Sequence, residues 1–188
     1  MTNIFHKIKL ATLGIWLGAS TALGADIFVE TDPMPFLADG SDQTLAIRPA
    51  TAPVVFWMAR FHMELPEAMV DLEKENAGKG FSHTIKPSLG LAMDYNFHKD
   101  LAGSYLGLGG FYIQNEIEKD EVVREFDVAY YFARYGYRWF PFQNSFYFNF
   151  WISAGPQEVV KGDSTINGED YYVAPIRILG GPHFGIKF

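Results

Sequence analysis

From Thr84 to Phe97 the chain alternates without a break: Ile85, Pro87, Leu89, Leu91, Met93, Tyr95 and Phe97 fall on one parity. Thr84, Lys86, Ser88, Gly90, Ala92, Asp94 and Asn96 fall on the other. A period of two is the signature of a β-strand whose faces meet different surroundings. Val54 to Glu64 repeats it, with Val55, Trp57, Ala59, Phe61 and Met63 opposed to a face ending in Arg60, His62 and Glu64. In Phe146 to Ala154 the phenylalanines Phe146, Phe148 and Phe150 share a face with Ile152, and in the last run Tyr171 to Phe188 the residues Ile176, Ile178, Phe184, Ile186 and Phe188 oppose Arg177, His183 and Lys187.

Two further segments are less regular. Gly103 to Asn115 is rich in glycine, and either Leu106, Leu108 and Tyr112 or Tyr105, Phe111 and Ile113 could face outward. Val122 to Phe140 sets Ala133, Tyr135, Tyr137 and Trp139 against Arg134, Gly136 and Arg138, yet Glu125 and Asp127 share the apolar parity. Either a bulge shifts the register there, or the acids stand beyond the edge of the apolar zone. Asp26 to Phe36 and Gln43 to Pro49 are short, proline-marked strand candidates. Eight strands are expected, an even number that lets an antiparallel sheet close on itself. Counting back from the C-terminus, the connections alternate: long at Lys161 to Asp170, short at Pro141 to Asn144, moderate at Glu116 to Glu121, short at His98 to Ala102, long at Leu65 to Ser82 and short at Ala50 to Pro53. Pro66 to Glu75 in the longest one reads as a short helix, with proline suited to its first turn and Gly78 to its stop.

These strands exceed the ordinary globular length, and the long ones exceed the ~9 to 11 residues that a tilted strand needs to cross hydrocarbon. The sorting of charge sets the expected orientation. Arg60, His62, Glu64, Lys86 and Asp94, with Arg134, Arg138, Arg177, His183 and Lys187, are expected to form a polar network in a narrow lumen. On a lipid-facing surface each Arg or Lys near mid-bilayer would cost about 2–4 kcal/mol. Tyr135, Tyr137, Trp139, Phe140 and Phe142 crowd around the Pro141 turn, where an aromatic girdle would sit at headgroup level.

The first residues read as an address. Lys7 and Lys9 precede an apolar run, Leu10 to Gly18, followed by small residues, which is the order of a secretory signal peptide. Cleavage fits best after Gly24, giving a leader over 1–24 and a single domain over 25–188. The whole chain carries 15 Lys+Arg against 22 Asp+Glu; without Lys7 and Lys9 the balance is 13 − 22 = −9, which excludes a basic nucleic-acid footprint. The absence of cysteine excludes a lipidated cysteine, disulfides and thiolate chemistry.

With its leader, the stretch Gly136-Tyr-Arg-Trp-Phe-Pro-Phe-Gln-Asn-Ser-Phe-Tyr and the ending His183-Phe-Gly-Ile-Lys-Phe188, the chain resembles the small eight-stranded outer-membrane β-barrels of the OmpA/OmpX type. That resemblance implies an all-β, antiparallel up-and-down transmembrane barrel in the outer membrane of a Gram-negative-type cell. It implies Phe184, Ile186 and Phe188 as an assembly signal, and outer-membrane lipids, lipopolysaccharide and the assembly machinery as partners. The motifs specify a folding route and no activity. A monomer with no cofactor and a structural or surface-interaction role is expected.

Two alternatives carry chemistry. A lipid A deacylase-like enzyme would need a Ser and His at the outer rim; Ser82 and His83 lie there, but adjacent strand residues point to opposite faces and no orienting acid is evident. A soluble periplasmic ligand-binding barrel would reverse the two faces. His62 and His183 with Glu64 or Asp94 lack the close spacing of a metal motif. The acid-rich loops, Glu67 to Glu75, Glu116 to Glu121 and Asp163 to Asp170, read first as solvated charge.

Overall fold

The computed structural model describes residues 24–49, 52–142 and 145–188. The expected leader, up to residue 23, and the tips of two connections lie outside the described residues. Among the described residues the chain is all-β apart from one short helix and one 3-10 turn. Its strands are β1 (Asp26–Thr31), β2 (Ser41–Arg48), β3 (Val54–Leu65), β4 (Ser82–Asn96), β5 (Gly103–Lys119), β6 (Val122–Trp139), β7 (Phe146–Gly162), the two-residue pieces β8 (Thr165–Ile166) and β9 (Glu169–Asp170), and β10 (Ile176–Lys187). Eight of them close into an antiparallel ring, in which each pairs with its neighbour in sequence, β7 pairs with β10, and β10 returns to β1. β8 and β9 form a separate hairpin in the connection to β10. The helix α1 (Glu67–Val70) is shorter than the expected Pro66 to Glu75.

Burial alternates along every ring strand, so each has an inward and an outward face. Asp94, Arg134, Arg138, Arg177, His183 and Lys187 lie on the inward parity; Leu91, Leu108, Ile152 and Ile178 lie on the outward one and are more than half exposed. In β5 the outward set is Leu106, Leu108 and Tyr112, while Tyr105, Phe111 and Ile113 point in. The register of β5 against β6 is unbroken from Gly103 opposite Arg138 to Lys119 opposite Val122, whereas that of β6 against β7 shifts between Asp127 and Val128, where β7 carries one extra residue and β6 keeps its parity. Glu125 and Asp127 both fall on the outward parity, Asp127 covered there by Tyr112 and Lys161.

Two segments depart from the expected orientation. In β3 the inward residues are Val55, Trp57, Ala59, Phe61 and Met63, so Arg60, His62 and Glu64 face out. Both parities of the strand begin apolar, and what decides is that Trp57 reaches Asp94 and Phe111 in the interior. In β4 the register slips against both neighbours around Pro87. One extra residue is accommodated there, the Ser88 hydroxyl turns back to the Lys86 carbonyl, and the parity inverts. Below the bulge Gly90, Asp94 and Asn96 point in; above it His83 and Ile85 do, and Lys86 faces outward instead of into the lumen.

The wall is complete at one level and notched at another. β1 pairs with β10 only from Phe28 opposite Lys187 to Thr31 opposite Phe184. In that register the next hydrogen-bonding pair would set Pro33 opposite Pro182, and neither has an N–H to give. β1 therefore leaves the sheet, Asp32 folds into a turn that accepts the Met34 N–H at 2.8 Å, and the 3-10 turn Pro35–Ala38 packs against β2 and β3.

Candidate functional site: the interior network and the cap at the loop end

Near the end of the ring that holds both described chain ends, two carboxylates and two guanidiniums share the interior. Arg134 donates from Nε and Nη2 to the two oxygens of Asp94, at 2.7 and 2.5 Å, and Arg138 adds a third bond from Nη2 at 2.8 Å. Arg138 also donates to Asn96 Oδ1 at 2.6 Å. Glu30 is buried beside them and accepts from Tyr147 Oη at 2.7 Å and Asn149 Nδ2 at 2.9 Å, with His183 Nδ1 at 3.0 Å. Aromatic rings cover the guanidiniums: Arg134 stands 4.0 Å from the Trp57 ring and Arg138 4.3 Å from that of Tyr105. The space for these rings comes from glycine, since a Cβ at Gly136 would fall 2.2 Å from Tyr105 and one at Gly185 2.2 Å from Tyr147. At the edge of the ring Arg48 binds Asp26 and the carbonyls of Ala52 and Lys99, tying two short turns together, and Lys187 reaches Asp26 at 3.3 Å.

Further along the interior the filling becomes apolar. Trp57, Phe111, Tyr130 and Phe132 stack on one another, followed by Ile85, Ile113 and Ile117. Side chains fill the lumen, as expected for so few strands. At the loop end the two long connections close over it. Asn76, fully buried, accepts the Tyr172 N–H at 2.7 Å and donates to its carbonyl at 3.0 Å. Tyr171 inserts between Phe81 and His83, with its hydroxyl 2.7 Å from His83 Nδ1. Lys119 bridges to Glu169 at 2.7 Å, which holds the Glu169 carboxyl below its ordinary pKa. Burial pushes the Tyr171 hydroxyl up to about 12.

The sequence-read site residues thus separate into two groups. Asp94, Arg134, Arg138 and His183 meet in one interior network; Arg177 and Lys187 point into the same interior, Arg177 toward Gln157 at the other end. Arg60, His62, Glu64 and Lys86 stand on the outer surface, with His62 beside Ser41 Oγ and Lys86 bridging Glu116 and Glu125. Glu30, Asn96, Tyr105, Tyr147 and Asn149 are interior partners that sequence reading missed. Glu30 and Asn149 carried a signal, since each is a polar residue amid apolar strand neighbours. Tyr135, Tyr137, Trp139 and Phe142 are exposed around the turn end, whereas Phe140 is drawn inward against Tyr147. Phe184, Ile186 and Phe188 all face out.

At the rim Ser82 and His83 are not brought together. Ser82 is exposed, and His83 points into the interior, held by Asn115 at 2.9 Å and by Tyr171. Its expected outward parity is reversed by the Pro87 bulge. His62 and His183 lie on opposite sides of the wall, and among the described residues no three His, Asp or Glu side chains converge as a metal site would require. Comparisons with protein-family models, with curated proteins and with solved structures give no match.

Proposed function

We propose that the ring is a transmembrane β-barrel of a bacterial outer membrane, with a structural or surface-interaction role carried by its loops. One observation carries the reading. On all eight ring strands the outward face includes a stretch without a charged side chain, among the described residues, while Glu30, Asp94, Arg134 and Arg138 are buried inside. On β6 it runs from Ala129 to Trp139 and on β7 from Phe146 to Pro156, each the length that a tilted strand needs to cross hydrocarbon. Arg60, Lys86, Glu116, Glu125 and Glu158 stand outward past this zone toward the loop end, where long side chains reach headgroups. A water-soluble barrel would carry the opposite arrangement.

The filled lumen argues against a pore, and Ser82 and His83 on opposite faces argue against a deacylase-like enzyme. The surfaces left to act are the loops, which would meet lipopolysaccharide, other envelope proteins or a host surface. Expressed with its leader in a Gram-negative host, the protein is expected in the outer-membrane fraction, and its unboiled form to migrate differently on a gel from the boiled form. Recovery from the periplasmic fraction with a single mobility contradicts the reading.

A further inference from the structure

We propose that the free edge of β10 is a docking site for an extended polypeptide segment of a partner protein, which adds as a strand in line with β1. Its apolar side chains would face the lipid and a basic side chain would face Asp32 and Asp42. The proposal deepens the membrane reading and rests on it in one respect: hydrocarbon, unlike water, leaves an open strand edge unsolvated.

The edge follows from the register. Phe188 exchanges both backbone bonds with Ile27, while Lys187 donates to Ser145 beside β7, so even-numbered residues of β10 point their N–H and C=O toward the β1 side. The β10–β7 register is constant from Ile176 to Ile186, and so is that alternation. Above Phe184 the even residues are Pro182, Gly180, Ile178 and Ile176, and among the described residues none has a backbone partner on the β1 side. Each unsatisfied N–H or C=O in hydrocarbon costs several kcal/mol. Exposed edges are usually blunted by charge, proline or a covering loop. Here, among the described residues, only Pro182 does so, and the 3-10 turn packs on β2 and β3.

The slot beside this edge has a definite chemistry. Its lipid side is apolar: Ile176 and Ile178 on β10, and Phe36 and Leu37 on the turn, are all more than half exposed. Its inner side is acidic. Asp32 lies 3.4 Å from where a Gly181 Cβ would stand, and Asp42 accepts the Asp32 N–H at 3.3 Å. Trp151, opposite Gly181 in register, points inward yet stays partly accessible, and its buried indole N–H has no partner. The facing charged and titratable groups are Glu30, His183, with Nε2 3.9 Å from Asp32 Oδ2, and, at the far end of the edge, Arg177 on the inward face of β10, whose guanidinium is directed to Gln157. A second copy of the chain fits poorly, because its β10 arrives attached to β7 and the slot lies between β10 and the turn. An acyl chain fits the apolar rim but leaves the edge groups unpaired. A single extended peptide satisfies both backbone and charge, as in strand addition to an open sheet.

The test uses the chain from residue 25 onward, refolded in phosphatidylcholine vesicles, with Trp57→Phe and Trp139→Phe so that Trp151 alone emits. The probe is a capped heptapeptide of alternating Leu and Lys bearing a terminal quencher, compared with a twin N-methylated on the amides of one edge. Saturable quenching is expected, about tenfold weaker for the methylated twin, the loss expected from one or two net hydrogen bonds. Ile178→Pro, which removes an N–H only from the free edge, should weaken binding to the same degree, and Asp32→Asn should weaken it for both peptides. Equal quenching by both peptides overturns the proposal, as does quenching of Trp151 by brominated acyl chains in the absence of peptide, which would make the slot a lipid site. Heat-modifiable gel mobility of each variant reports the barrel separately, so a failure to fold in vesicles counts against the membrane reading and not against the edge.

Discussion

Asp94 receives three guanidinium bonds in a site from which water is excluded, so its charge is tolerable only while both arginines stay. Removing one partner of such a pair strands the other, at a cost of about 3–5 kcal/mol, whereas removing both at once costs less than the sum. Arg134→Ala is therefore expected to lower stability by that amount. Asp94→Ala combined with Arg134→Ala should be less destabilised than additivity requires, as measured by urea unfolding from vesicles. The inward placement of Asp94, Arg134, Arg138 and His183 was legible from parity alone, because each sits on a strand with one clearly apolar face. Arg60, His62 and Glu64 misled because β3 begins apolar on both faces, and its large inward residues, Trp57 and Phe61, fill the lumen instead of meeting solvent. A narrow interior lined by aromatic rings is itself apolar, so hydrophobicity alone does not tell the two sides apart.

Individual strands show what a period of two can and cannot convey. Alternation located every ring strand, though β7 runs eight residues past the expected Ala154, β1 stops at Thr31 short of the expected Phe36, and β10 starts at Ile176 instead of Tyr171. It also fixed the faces of β6, β7 and β10, whose registers hold across the apolar zone. It failed above Pro87, because a single extra residue inverts every later side chain while leaving the sequence pattern intact. Proline inside a long strand was the available signal, since within sheets it marks an edge or a bulge. Loops are the least legible elements: the contact between the β3–β4 and β9–β10 connections joins Asn76 to Tyr172, residues distant in sequence. The cap they form has a pH limit. The folded state holds Tyr171 neutral, with its pKa raised from about 10 to about 12, so its contribution is whole below pH 10 and lost as pH rises through 12. Tyrosinate absorbance should develop for Tyr171 only near pH 12, and Tyr171→Phe should lower the late amplitude by one tyrosine. Titration of every tyrosine near pH 10 would mean that the cap does not form.

At the scale of the whole molecule, an eight-stranded antiparallel ring was readable from strand count, connection lengths and the even number that closure needs. The notch was not, because it depends on Pro33 falling opposite Pro182, a pairing visible only once the register is known. The ring's two surfaces make opposite demands on substitution. Ile152, outward and more than half exposed, should tolerate Leu but not Arg, at about 2–4 kcal/mol in vesicles if it lies near mid-bilayer. Arg at Glu158, outward beyond the zone, should cost far less.

The central claim is that the outward apolar zone meets lipid, and Trp139 reports on it directly. Trp57 and Trp151 point inward, leaving Trp139, about half exposed, as the outward indole among the described residues. In Trp57→Phe/Trp151→Phe chains that start at residue 25, and so lack Trp16, refolded into vesicles of phosphatidylcholine brominated near the headgroup end of its acyl chains, Trp139 emission should be strongly quenched relative to unbrominated vesicles. Emission unchanged by bromination, with the protein remaining folded in the aqueous phase, would contradict the account.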